Sequence, residues 1–122
     1  MMPSSFVDNL IHITHADTKQ KTKQLWDVEG IIKNRSNQKF KFDLRPIQKQ
    51  AGGLIGKKGN FLTKANKMVF ETTEKWIIID VKELHTYIKK QSRNTVYLPD
   101  LISKLEWNII FPKRAMNECQ VK

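Results

Sequence analysis

Trp26-Asp27-Val28-Glu29-Gly30-Ile31-Ile32-Lys33-Asn34-Arg35-Ser36-Asn37-Gln38-Lys39-Phe40-Lys41-Phe42-Asp43-Leu44-Arg45 is the stretch on which the fold turns. Its even-numbered positions are apolar or glycine on both sides of the polar segment 34–38, the period-two pattern of a half-buried β-hairpin. Folding it symmetrically about Ser36 sets Ile32 opposite Phe40, Gly30 opposite Phe42 and Val28 opposite Leu44. A one-residue slip would turn a strand's apolar set to the other face. The odd face then carries Glu29 across from Asp43, Asp27 across from Arg45 and Lys33 across from Lys39, with Lys41 beside Asp43. Two directly opposed carboxylates repel unless something compensates. A divalent cation is one compensation, because Mg²⁺ is held by one or two carboxylates together with substrate phosphates. The flanking Lys41 and Arg45 are the other, and they would leave an exposed face of weak ion pairs.

Outward from the hairpin, charge dominates. The chain has 122 residues, 22 basic and 12 acidic, for a net charge of +10. That length suits one domain, residues 1–122, able to bury a core without staples. Between positions 33 and 67 stand ten basic residues against one acid, Asp43, so +9 of the excess lies in that window. A basic run is usually a solvated face, but one window holding nearly all the excess suits a surface that neutralises phosphates and releases their counterions. The window also holds four of the five glycines, in Ala51-Gly52-Gly53-Leu54-Ile55-Gly56-Lys57-Lys58-Gly59-Asn60. This segment reads as a loop that lays backbone N–H groups and lysines against phosphates. It lacks the Gly-Lys-Ser/Thr ending of a Walker loop.

Other classes are disfavoured. The single cysteine, Cys119, has no internal disulfide partner and no zinc-site spacing around it, which suits a reducing, cytoplasmic or otherwise intracellular compartment. The longest apolar run, Trp76-Ile77-Ile78-Ile79, is too short to cross a bilayer, and no basic n-region of a secretory signal opens the chain. Membrane-surface binding is also not expected, because the basic window has strand and loop character rather than that of an amphipathic helix.

The remaining elements follow from periodicity. Phe6, Val7, Leu10 and Ile13 are spaced as one stripe of a helix capped by Ser4 or Ser5. Residues 68–70 and 75–81 read as a second hairpin, whose continuous Trp76–Ile79 run marks a strand buried on both faces. A helix is expected over 82–91, a strand over 95–98, a helical turn capped by Asp100, and a last strand over 107–111. The expected class is α+β, a mixed sheet built on a hairpin with an N-terminal helix and further helices against it.

At this point the chain resembles the PD-(D/E)xK nucleases, which include restriction enzymes and archaeal Holliday junction resolvases. Asp27 (or Glu29) stands where the family's first acid would be, and Asp43-Leu44-Arg45 where its Glu-x-Lys would be. Residues 67–84 look like the resolvases' later strand pair and helix. The resemblance covers about 5–90, leaving 91–122 as a strand-helix-strand extension. It implies a restriction-endonuclease-like core and a small endonuclease acting on DNA phosphodiesters, structure-specific rather than sequence-specific. Asp27, Glu29 and Asp43 would hold Mg²⁺ or Mn²⁺, and Arg45 would steady the scissile phosphate. The departures are Trp26 in place of the proline and Arg45 in place of the lysine; arginine does not give up a proton and could not act as general base.

Nucleic acid, DNA before RNA, is the partner this reading implies, and a homodimer is compatible with it. Lys41, Lys49, Lys57, Lys58, Lys64 and Lys67 would track the backbone, with Gly56 and Gly59 giving it close approach and Phe61 stacking on a base. The segment Leu54-Ile55-Gly56-Lys57-Lys58-Gly59 also resembles the Ile-Gly-x-x-Gly signature of KH domains, which clamp single strands, although the stretch from Asn60 to Lys67 is short for the helix that should follow. A non-catalytic accessory or inhibitor protein of a mobile element is the remaining alternative. His12, His15 and His85 read as surface histidines, and Trp26, Trp76 and Trp107 as core.

Overall fold

Trp76, Ile77, Ile78 and Ile79 are all at most 3% exposed, because the strand that carries them has a packed layer on each side. The computed structural model describes residues 5–35, 37–46 and 51–113. Among these, β1 is Leu10–His15, α1 Thr18–Lys23, β2 Val28–Ile32, β3 Lys39–Arg45, β4 Leu54–Lys57 and β5 Lys67–Glu71. They are followed by β6 Lys75–Asp80, α2 Val81–Lys90, β7 Thr95–Tyr97, α3 Leu98–Lys104 and β8 Asn108–Pro112. Short 3-10 turns cover Phe6–Asn9, Ala51–Gly53 and Lys58–Phe61. The architecture is α+β. A six-stranded mixed sheet has the order β1-β2-β3-β5-β6-β8, and β4 pairs with β7 in a separate two-stranded sheet. Only β3 and β5 run parallel; every other neighbour in the main sheet is antiparallel.

Alternation along the strands sorts the core into two layers. Met68 and Phe70 of β5 with Ile77 and Ile79 of β6 face Leu84 and Ile88 of α2, Val96 of β7 and Leu101 of α3. Val69, Trp76 and Ile78 face the other way, toward Phe6, Leu10, Val28 and Phe42. A third small cluster joins Trp26 to Ala16 and Ala65. No helix among the described residues is long and apolar enough to cross a membrane.

The second hairpin, α2 and the last two strands stand where the sequence places them. Three expectations change. The N-terminal segment is not one helix: the 3-10 turn at Phe6–Asn9 leads straight into β1. The stripe spacing is real for Phe6 and Leu10, which are buried, but Ile13 is 40% exposed, and β-branched Ile11, Ile13 and Thr14 favour a strand. His12 and His15 therefore sit on a strand. Asp100 does not cap α3, which starts at Leu98 behind Tyr97 with proline in its first turn; its carboxylate instead accepts from exposed Arg93 at 2.9 Å and raises that guanidinium's pKa.

The third change is the register of the first hairpin. β2 and β3 pair Val28 with Phe42, Glu29 with Lys41, Gly30 with Phe40 and Ile31 with Lys39. Each β2 residue thus meets a partner two positions earlier than the symmetric turn about Ser36 implies. A slip of two keeps every side chain on its face, so the hydrophobic pattern cannot distinguish the registers. Glu29 consequently opposes Lys41, not Asp43. On its other side β2 meets a bulge in β1: the pairing shifts between Ile11 and Thr14, so His12 and Ile13 oppose Gly30 alone, with His12 in the left-handed region at φ 55°.

Candidate functional site

The hairpin acids separate by role. Asp43 is 5% exposed and lies on the α2 side of the sheet, beside Met68 in the parallel pairing. Two residues on and on the same face, Arg45 forks onto it: Nε donates to Oδ1 at 2.9 Å and Nη2 to Oδ2 at 3.0 Å. Both carboxylate oxygens are engaged, in the geometry guanidinium suits best, and the same guanidinium lies 5.6 Å from the Phe61 ring centroid. Asp27 Oδ2 accepts the Leu44 N–H at 2.7 Å, locking the strand end. Asp27, Asp43 and Arg45 share an open depression of about 380 Å³ with Lys21, Leu25 and Asn60. Glu29 does not line it. No group of three or more His, Cys, Asp or Glu among the described residues is placed to hold a metal ion, and an acid forked by arginine does not fit Mg²⁺ or Mn²⁺.

The glycine-rich segment is built structure. β4 pairs with β7, Leu54 against Tyr97 and Lys57 against Thr95. Gly53 has φ +78°, and a Cβ there would stand 2.5 Å from Pro99 Cδ; Gly56, at φ +144°, has Asn60 Oδ1 2.8 Å from the same point. These glycines serve the packing of the segment on α3 and on its own turn. A Cβ on Gly59 would meet nothing within 4 Å. Gly53→Ala is therefore expected to cost about 2 kcal/mol or more, and Gly59→Ala to be neutral within about 0.5 kcal/mol, as read by chemical denaturation. Equal losses at both would contradict this division.

Besides Arg45, Lys58 and Lys67 of the basic window are also spent on structure, and Phe61 is buried. The Lys58 ammonium donates to the Gln91 carbonyl at the end of α2, where a cation also suits the helix dipole. Lys67, 5% exposed, donates to Asp80 Oδ1 at 2.7 Å, so it is not free to track a backbone. Phe61, 1% exposed, packs edge-on against Phe70 and presents no ring to a base: its place between polar residues hides a core position. Lys41 is half-buried, 5.1 Å over the Trp26 ring. Lys57 and Lys64 are exposed. Lys49 lies outside the described residues.

What the fold does bring together is a cleft where β5, β6 and the start of α2 meet the segment 63–66. It measures about 530 Å³, and its lining includes Lys64, Lys67, Asp80, Lys82, His85 and Trp107. The elements explain the placement. Asp80 caps α2, with Oδ2 accepting the Glu83 N–H at 3.1 Å, while Oδ1 holds Lys67 across the β5–β6 hairpin. Asn66 ties the rim to both sheet and helix, its Oδ1 accepting Lys41 N–H and its carbonyl accepting Val81 N–H. The Lys67 ammonium lies 3.6 Å from the centroid of Trp107 and 4.6 Å from that of Phe40, so an aromatic wall helps hold a charge taken out of water. His85 Nε2 donates to the Phe61 carbonyl at 2.7 Å, which fixes the orientation of the ring.

Lys82, His85 and Trp107 lie outside the basic window of the sequence. The signal that could have found two of them is the spacing of Lys82 and His85, three apart and so on one side of a helix. Trp107 arrives from the entry to β8, and no local pattern announces it. No protein-family model, curated protein or solved structure matches the chain.

Proposed function

We propose that the protein binds nucleic acid through phosphate contacts and needs no metal ion to do so. The observation that supports this reading is the convergence of exposed Lys64 and Lys82 with His85 on one cleft whose single carboxylate among the described residues, Asp80, is already paired to Lys67. Lys64 and Lys82 are exposed and cost little to redirect onto a phosphate. Asp80 is already neutralised by Lys67, so it adds little repulsion. Phosphate contacts carry no base information, so the reading predicts affinity without sequence preference.

The test is fluorescence anisotropy of labelled single-stranded and duplex oligonucleotides, DNA and RNA, from about 50 to 200 mM salt, with Mg²⁺ or with EDTA. Contact with about two phosphates, one for each exposed lysine, gives a slope of log affinity against log salt of about −1.4 for a single strand. Affinity is expected to be retained in EDTA and to be no higher with Mg²⁺, which competes for the phosphates, and the oligonucleotide to remain intact. Binding indifferent to salt would overturn the reading.

A second reading, an atypical endonuclease with a restriction-endonuclease-like core, is favoured by Asp27, Asp43 and Arg45 sharing one depression. It requires Arg45 to release Asp43 when substrate and metal arrive. Cleavage that needs Mg²⁺ and is lost in Asp43→Asn would select it over the first.

A further inference from the structure

We infer that the cleft beside α2 receives one unpaired, phosphorylated nucleotide at a time, making single strands and strand ends the ligand rather than intact duplex. This rests on the nucleic-acid reading above and assigns its binding unit. Size is the first constraint on the ligand. At about 530 Å³, the cleft lies in the range of roughly 300–1,000 Å³ that holds one small ligand. A base still stacked and paired in a duplex cannot enter a concave site of that kind, whereas an unpaired one can.

Exposure sorts the chemistry of the cleft, from two open lysines through partly covered rings to the nearly buried Lys67. Exposed Lys64 and Lys82 offer two ammonium groups at the rim, where a phosphate can stay partly hydrated. Trp107 and His85, less exposed than these lysines, supply ring surface of the kind on which bases stack. The floor is closed by Lys67 and Asp80, which are paired to each other and so ask nothing of the ligand to remain neutralised. Charge outside, ring surface inside and a satisfied floor match a ligand that carries its charge at one end and a flat heterocycle at the other. Inorganic phosphate would satisfy only the rim, and a free nucleoside only the interior.

Trp107 provides the readout, because the other two tryptophans, Trp26 and Trp76, are 2% and 3% exposed and line no part of this cleft. Adenosine 5′-monophosphate is expected to change the tryptophan fluorescence of the wild-type protein, and Trp107→Phe to abolish most of that change. Affinity for the monophosphate is expected to exceed that for adenosine at least tenfold, with inorganic phosphate competing. Lys64→Glu combined with Lys82→Glu is expected to weaken monophosphate and single-stranded oligonucleotide at least tenfold each. Both positions are exposed, and Lys82 lies in the first turn of α2, where an acid suits the helix dipole, so an unchanged denaturation midpoint serves as the folding control. Equal affinity for monophosphate and adenosine, or undiminished monophosphate binding by the double variant, would overturn the inference. If the double variant loses monophosphate but still binds oligonucleotide fully, the cleft is not where strands bind and the inference fails. If the wild type binds oligonucleotide but no monophosphate, the inference fails and the broader reading stands; if it binds neither, both fail.

Discussion

Asp80→Ala is expected to destabilise the protein more than any other single change in the cleft. The carboxylate answers two demands at once: it neutralises Lys67, whose side chain is 7% exposed, and it accepts the first-turn N–H of Glu83. Removing one partner of a buried ion pair strands the other's charge, at a cost of about 3–5 kcal/mol. Loss of a helix cap adds about 1 kcal/mol. Because both losses stem from one side chain, the total falls short of the sum. Asp80→Asn separates them, since the amide oxygen can still cap α2 while the charge is gone; it is expected to recover the smaller part only. Lys67→Met with Asp80→Asn replaces the pair by groups carrying no charge and is expected to regain most of the stability, with the introduced thioether seated between Phe40 and Trp107. Urea denaturation of the variants checks this, and an Asp80→Ala loss below about 1 kcal/mol would show that water reaches the Lys67 ammonium and the pair is not effectively buried.

Phe42→Ala carries the other large effect, in the layer of the core that lies away from α2. Its ring is fully buried and meets Phe6 edge-on at 5.3 Å and Phe40 at 6.2 Å. Truncation removes the transfer term and leaves a cavity that Phe6, held by its own short turn, can only partly fill. The expected loss is about 3–5 kcal/mol, a shift in melting temperature on the order of 15 °C for a chain of this size. Phe42→Leu, which keeps most of the volume, is expected to lose about 1.5 kcal/mol. Comparable losses in the two variants would mean that the site needs an aromatic ring rather than bulk.

Residues near in sequence were legible and residues joined across the fold were not. The run 76–79 announced a strand covered on both faces, and Leu84 with Ile88 announced the buried side of α2. Even positions of the first hairpin announced which residues face Phe6. The pairing of that hairpin was not legible, because registers two apart bury the same side chains, and Glu29 faces Asp43 in one of them but Lys41 in the other. Nor could composition show that Lys67, Lys58 and Arg45 have partners: a charge count records where a residue stands in the chain, and only folding sets Asp80, the Gln91 carbonyl and Asp43 beside them. The cleft combines residues from 38 to 107, gathered by the parallel β3–β5 pairing and by the return of β8 to β6, neither of which leaves a local mark.

The left-handed His12 has a consequence for how these molecules meet one another. It lies in the outermost strand on one side of the six-stranded sheet, where an unbroken row of backbone donors and acceptors would template a passing chain, the more so with Ile11 and Ile13 more than one-third exposed. Holding a non-glycine residue at φ 55° costs of order 1–3 kcal/mol, yet it interrupts that row midway. The opposite rim, β8, ends on Pro112, which has no N–H to offer. Among the described residues, a strained residue midway along one margin and a proline at the end of the other shorten the regular ladder that strand-by-strand aggregation could extend.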